Sequence, residues 1–408
     1  MQDAQSLAIR QRPPRYCSKL LSQGVDVDQH APTERRTIVV VLLLGAGVCV
    51  GLQVTNLLPW LLDQGLWPLL LALAAIGGVI LLLALRVAHY ADALAIRLGE
   101  PFGTLILTGS AVVVELALIA STMGSGEANP TLARDSMFAV LMIALTGIKG
   151  ISILQAAREQ EKLLQEPLQD SDLVAMNLGG SVTYVNLITT ISVLALVVPN
   201  FAIQTSEANF NGPGNVVLVT AAMGLFAVFI GFQTGSYRGL FTESPAQRQW
   251  LGSLDGAHEG IPDIAPAMGW LVSGLLILVL NAESMGELIE ASLHGLGLRS
   301  AIGGTLVGLL VLAPEALNSF RAASKGQVQR SLNTLYGSVL STLCLTVPAV
   351  LLIGALTGTP VLLGLDPLEM ALLGLTLILI RPTSGKLTQL DGLMLLVVFF
   401  FWIALQLV

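Results

Sequence analysis

The sequence predicts an all-α polytopic membrane protein of about eleven transmembrane helices, ten of them in an inverted-topology repeat of five helices each. Three observations predict it. Apolar runs of about 18 residues or more recur along the chain, long enough to cross a bilayer as helices. Basic residues fall in every second loop. One arrangement around an intramembrane acid returns about 200 residues later.

Composition agrees with the first. Of 408 residues, 54% are hydrophobic and 12% charged, too little charge for a soluble chain of this length. The runs do not alternate residue by residue, as transmembrane strands would. The net charge of −7 and the lack of a basic stripe give no nucleic-acid footprint. Cys17, Cys49 and Cys344 are scattered, with no disulfide framework or zinc spacing.

The spans are read at roughly 38–58, 67–88, 102–123, 137–156, 178–199, 215–234, 265–287, 300–321, 332–356, 361–380 and 387–407. A basic tail with Arg10, Arg12, Arg15, Lys19, Arg35 and Arg36 puts the N-terminus inside. Arg86 and Arg97, Arg158 and Lys162, Arg238 and Arg248, Arg321, Lys325 and Arg330, and Arg381 and Lys386 then also fall inside. A missed helix would reverse this alternation downstream. The expectation is a multi-pass protein of the plasma (inner) membrane, N-terminus cytoplasmic and C-terminus outside. Its parts are a basic tail (1–36), an additional first helix (37–60), a first repeat (61–240), a cytoplasmic loop (241–264) and a second repeat (265–408). Loop 158–176 reads as a solvated connector. His258-Glu259 has no second histidine at zinc spacing.

The repeat rests on Glu115 and Glu315. Each follows a glycine, Gly103 or Gly303, by twelve residues, in the third and the eighth span. Five spans separate them, and an odd separation makes the two helices run in opposite directions. Many secondary transporters are built so, with their site near the midplane where the repeats meet. An acid at that depth is costly and marks a functional site by default. On span 3, Thr104, Thr108, Ala111 and Glu115 share a small, polar stripe. On span 8 the Glu315 stripe holds Gly304, Gly308 and Ser319, and Pro314 is expected to kink or loosen the helix. On span 9, Asn333, Gly337, Ser341 and Cys344 share a stripe, with Ser338 and Thr342 adjoining. It reads either as an aqueous path or as a close helix contact. Glu283, deep in span 7, is either a third ion- or proton-binding acid or a carboxyl hydrogen-bonded between helices. Asp92 and Glu100 are candidate entrance acids. Lys149 reads as a lysine snorkelling to the inner surface.

These residues resemble the calcium/cation antiporter superfamily, in particular its cation/proton exchanger branch of bacterial ChaA-type calcium/proton antiporters. The likeness lies in D-A-L-A-I-R-L-G-E-P-F-G-T-L-I-L-T-G-S-A-V-V-V-E, from Asp92 to Glu115, and in G-G-T-L-V-G-L-L-V-L-A-P-E, ending at Glu315. K-G-Q-V-Q-R-S-L-N-T-L-Y-G-S-V-L-S-T-L-C-L-T-V-P follows, and T-L-A-R-D-S at 131–136 also fits that branch. One departure matters. Much of the superfamily has a glycine-asparagine pair before each glutamate, where this chain has Val112, Val113 and Val114, and Leu312, Ala313 and Pro314.

The resemblance implies a secondary antiporter with no resident cofactor. It would exchange Ca²⁺ for H⁺, or Na⁺ (K⁺) for H⁺ on the same glutamates, with the lipid bilayer and the transported cations as its partners. Calcium needs several hard oxygens and carboxylates to balance its charge. Glu115 and Glu315 would supply the charge, with Thr104, Thr108 and Ser338 as candidates for further oxygens. Without the ion, two neighbouring carboxylates in low dielectric favour taking up protons. Two other classes fit less well. An intramembrane enzyme lacks its motifs here, and a channel is usually a symmetric assembly of short chains.

Overall fold

A computed structural model describes residues 31–54, 57–98, 102–124, 130–164, 174–202, 210, 212–235, 237–241, 263–297 and 301–407. The basic tail through residue 30, residues 165–173 of loop 158–176 and His258-Glu259 lie outside them. The described chain is nearly all helix: α1 (Ala31–Val54), the short α2 (Leu57–Leu62), α3 (Leu66–Leu98), α4 (Phe102–Gly124) and α5 (Leu132–Met142, continuing to 164). α6 (Leu178–Ser192, continuing to 201), α7 (Gly212–Thr234), α8 (Ile264–Leu296) and α9 (Ala301–Ser324) follow. α10 (Val328–Ser341, continuing to 357), α11 (Pro367–Leu379) and α12 (Gln389–Gln406) complete the chain.

Eight of these are long and apolar enough to cross a membrane, and Thr37–Leu52, Thr108–Ala120 and Pro367–Leu379 are shorter apolar helices. α3 and α8, at 33 residues each, run about 50 Å, well beyond a bilayer core of about 30 Å. Burial ranks the helices. In α5, 83% of the apolar window is buried, and in α10, 67%. In α7 the share is 17%, and it turns Val216, Val217, Val228 and Phe232 outward as a lipid face. α5 and α10 therefore form the centre. α9 packs along α5, α8 packs along α3 and α4, and α12 packs along α5.

Three helices open into wider π turns, at Ile143–Ile148 in α5, Val193–Val197 in α6 and Thr342–Thr346 in α10. Pro199 and Pro348 follow two of them closely. Proline cannot donate to the carbonyl four residues back, and an extra residue in the turn absorbs that mismatch. At Pro314 the expected loosening does not occur as a break: α9 runs uninterrupted from Ala301 to Ser324. The missing N–H costs one bond of the helix, and α9 packs closely on α5. Gly304 sets that packing. A Cβ there would lie 2.7 Å from the Ser136 backbone nitrogen, so only glycine permits this approach.

Short contacts tie the ends. Val174–Ala175 pairs antiparallel with Lys386–Leu387. The Asn177 side chain caps α6 at Gly180 N, and Thr388 and Asp391 form a capping box on α12. At the opposite end, the buried Arg134 donates to Asp135 (2.8 Å) and to the Gly364 carbonyl (2.8 Å). Thr131 donates to the other Asp135 oxygen (3.0 Å), and Leu362 N donates to the Pro130 carbonyl (2.8 Å).

Candidate functional site

Glu115 lies midway along α4, where the helix meets the π turn of α10. It is 2% exposed, and Thr342 Oγ1 donates to its Oε2 at 2.9 Å. Thr346, four residues on, faces the same carboxylate. Oε1 is buried with no hydrogen-bond partner among the described residues.

Glu315, on α9, is close enough to feel the charges of Asp92 and Glu115. Its Oε2 is likewise buried and unpartnered among the described residues. Unlike Glu115 it lines a cavity of about 680 Å³ between α3, α4, α6, α7, α9 and α10. Asn318, one turn past Glu315, also lines it and donates to Asp92 Oδ2 at 3.0 Å. Arg321, Lys325 and Arg330 line the cavity nearer the ends of α9 and α10. Tyr184, Phe229 and Phe241 form an aromatic wall, where Gln233 Nε2 donates to Tyr184 OH at 3.1 Å.

Most of the side chains singled out from sequence gather here. Thr108, Asn333, Ser338, Ser341, Asp92 and Glu315 line the cavity, and Thr342 contacts Glu115. The polar stripe of α10 thus faces open space along much of its length. Asn333 also braces the wall, donating to the Phe241 carbonyl at 2.6 Å and accepting from Gln329 at 2.8 Å. Glu283 sits on α8 and Thr104 on α4, their side chains outside the described set. Glu100 lies outside the described residues. Lys149 is a correction. It does not reach a surface but is 3% exposed, with Nζ donating to the Ile380 carbonyl (3.2 Å) and lying 5.2 Å from the Tyr336 ring centroid. A terminal helix carbonyl and an aromatic face replace water around it.

Asn318, Thr346, Tyr184 and Gln233 were missed from sequence. For Asn318 the signal was its place one turn after Glu315, and for Thr346 one turn after Thr342. Among the described residues no three His, Cys, Asp or Glu side chains gather as metal ligands. A cation held here would have to add hydroxyl, amide, carbonyl or water oxygens to the carboxylates.

A family model described as sodium/calcium exchanger protein matches residues 66–235 and 266–408. The chain belongs to the sodium/calcium exchanger family. This is a family of transporters, and both helices that carry the glutamates lie in the matched segments. Among curated relatives, the sodium-potassium/proton antiporter ChaA of Escherichia coli (strain K12) is 33% identical over 325 residues, covering 78% of this chain and 84% of the relative. A Ca²⁺/H⁺ antiporter of Aphanothece halophytica is 24% identical over 336 residues, covering 77% and 84%. Among solved structures, native YfkE aligns with a TM-score of 0.65 at 15% identity, over 91% of this chain and 100% of that one. The H⁺/Ca²⁺ exchanger CAX aligns with a TM-score of 0.63 at 13% identity, over 91% and 88%. At such identities these two likenesses establish the fold.

Proposed function

We propose that this family member is a secondary active antiporter that exchanges cytoplasmic Ca²⁺ for H⁺ by alternating access. The observation that carries the proposal is two buried glutamates on two helices, Glu315 lining the cavity and Glu115 behind it on Thr342, each with a carboxylate oxygen that has no hydrogen-bond partner among the described residues. A divalent ion neutralises both carboxylates, and protons neutralise them when the ion leaves. The two cargoes therefore compete for one site, and that competition couples their movements.

On this reading the three shorter apolar helices are spans too, which with the eight longer ones makes eleven. Three matches support an inverted repeat of α3–α7 and α8–α12. α3 and α8 have equal length, Glu115 and Glu315 hold equivalent places, and the π turns at Ile143–Ile148 and Thr342–Thr346 fall at nearly the same offset. Contacts between distant segments respect the predicted sides. The β-pair and the Arg97–Asp263 ion pair (3.4 Å) join segments read as inner, and the Arg134–Gly364 contact joins segments read as outer. On that orientation the cavity opens toward the cytoplasm, past Arg321, Lys325 and Arg330, and the Arg134 network closes the opposite end.

A second reading is Na⁺ or K⁺ exchange for H⁺ on the same glutamates. The name of the Escherichia coli relative favours it. So does the lack of amide residues just before either glutamate. Proton flux in liposomes carrying the purified protein separates the two on adding Ca²⁺, Na⁺ or K⁺ in turn. Calcium-driven flux is expected, and flux with Na⁺ or K⁺ alone would replace the first reading with the second.

A further inference from the structure

The cavity wall contributed by α9 is one stripe. Glu315, Asn318, Arg321, Ala322 and Lys325 all line it, at helical spacing. Arg321 and Lys325 stand nearer the mouth, with Arg330 of α10, and Glu315 stands toward the other end. Asn318 lies about 4.5 Å from Glu315 along the helix axis, on the mouth side. Its Nδ2 donates to Asp92 Oδ2 at 3.0 Å, so the α3 carboxylate is held at the level of Asn318, between Glu315 and the basic mouth. Asp92 and Glu315 are the two acids among the described residues that line the cavity, and they are near enough to feel each other's charge.

The hydrogen bond also orients both groups. A carboxylate only accepts, so Asn318 turns its NH₂ to Asp92 and keeps its carbonyl Oδ1 for another partner. Asp92 keeps its own Oδ1, and no described residue donates to either oxygen. We infer, on the reading of Glu115 and Glu315 as the ion site and of the cavity as cytoplasmic, that Asp92 and Asn318 form a second cation site about one helical turn nearer the cytoplasm, where an entering cation is held before it reaches Glu315. Two hard oxygens suit a cation that keeps most of its water. The cavity has room for that shell, since its volume of about 680 Å³ equals about 20 waters. Arg321, Lys325 and Arg330 repel a cation at the mouth, and Asp92 is the first carboxylate past them among the described residues. With no cation there, Arg330 and His89 are near enough to balance its charge.

The test measures the half-saturating Ca²⁺ concentration for exchange from each face, in everted and right-side-out membrane vesicles, for the wild type, Asp92→Asn, Asp92→Glu and Asn318→Ala. Na⁺ takes the place of Ca²⁺ if it alone drives wild-type flux. In Asp92→Asn the cytoplasmic value is expected to rise about tenfold relative to that at the opposite face. Asp92→Glu should recover most of that rise, because it restores the charge. Asn318→Ala should move the ratio the same way by less, because the carboxylate stays and loses its anchor. An unchanged ratio in Asp92→Asn overturns the inference. So does an equal rise at both faces, which a purely structural brace between α3 and α9 would give. Loss of all exchange at a wild-type thermal midpoint also overturns it, because saturating Ca²⁺ should pass an entry site without being held there. If Asp92→Asn does not fold, Asn318→Ala decides by the same ratio. A wild type without flux for any cation overturns the functional reading and this inference with it, whereas wild-type flux with an unmoved ratio overturns the inference alone.

Discussion

Glu115→Gln abolishes exchange while leaving the protein folded in the membrane. Glutamine has nearly the same shape and keeps an oxygen for the Thr342 hydroxyl, so the α4–α10 contact survives. What it loses is the choice between negative and neutral. It can neither balance the charge of a dehydrated cation nor release a proton to it. Removing one partner of a buried charge interaction costs about 2–5 kcal/mol, so Ca²⁺-driven flux should drop about thirtyfold or more. Flux in reconstituted liposomes reads the loss, and an unchanged elution profile and thermal midpoint in detergent show that folding is intact. Robust calcium-driven proton flux in this variant would remove Glu115 from the mechanism.

Arg134→Ala produces the largest loss of stability. Arg134 is buried with Asp135, and its guanidinium also holds the Gly364 carbonyl, fastening the start of α5 to the segment between α10 and α11. Truncation leaves the Asp135 carboxylate buried with Thr131 as its one side-chain hydrogen-bond donor among the described residues, and the Gly364 carbonyl loses the Arg134 donor. Breaking a buried pair in this way costs about 3–5 kcal/mol. A clear fall in the thermal midpoint and in the yield of monodisperse protein is expected. Arg134→Lys should recover part of it, since a lysine keeps the charge but not the fork that reaches both partners. A wild-type midpoint for Arg134→Ala would show that the network contributes little to the fold.

Much of the helical frame was legible because a bilayer leaves few ways to satisfy a backbone, so apolar run length announces a spanning helix. Polar residues inside such runs stand out for the same reason, which is how Glu115, Glu315, Thr342 and the α10 stripe were found. Other features depend on packing between distant segments. Nothing local announces that Asn318 bonds Asp92 or that Tyr184 and Gln233 build one wall of the cavity. Arg134 and Lys149 end on main-chain carbonyls of Gly364 and Ile380, and carbonyls carry no sequence signal. Lys149 was misread because snorkelling is the usual fate of a lysine near a helix end, whereas α11 supplies a buried acceptor instead. Pro314 was expected to kink or loosen its own helix, and α9 runs through it unbroken from Ala301 to Ser324. The π turns lie on the neighbouring helices.

The central claim is that Ca²⁺ and protons compete for Glu115 and Glu315. Calorimetric titration of the purified protein with Ca²⁺, in buffers of differing ionisation enthalpy, counts the protons released as the ion binds. The account predicts proton release in the wild type, and loss of both binding and release in the double variant Glu115→Gln/Glu315→Gln. Calcium binding without proton release, or release that persists in the double variant, would contradict it.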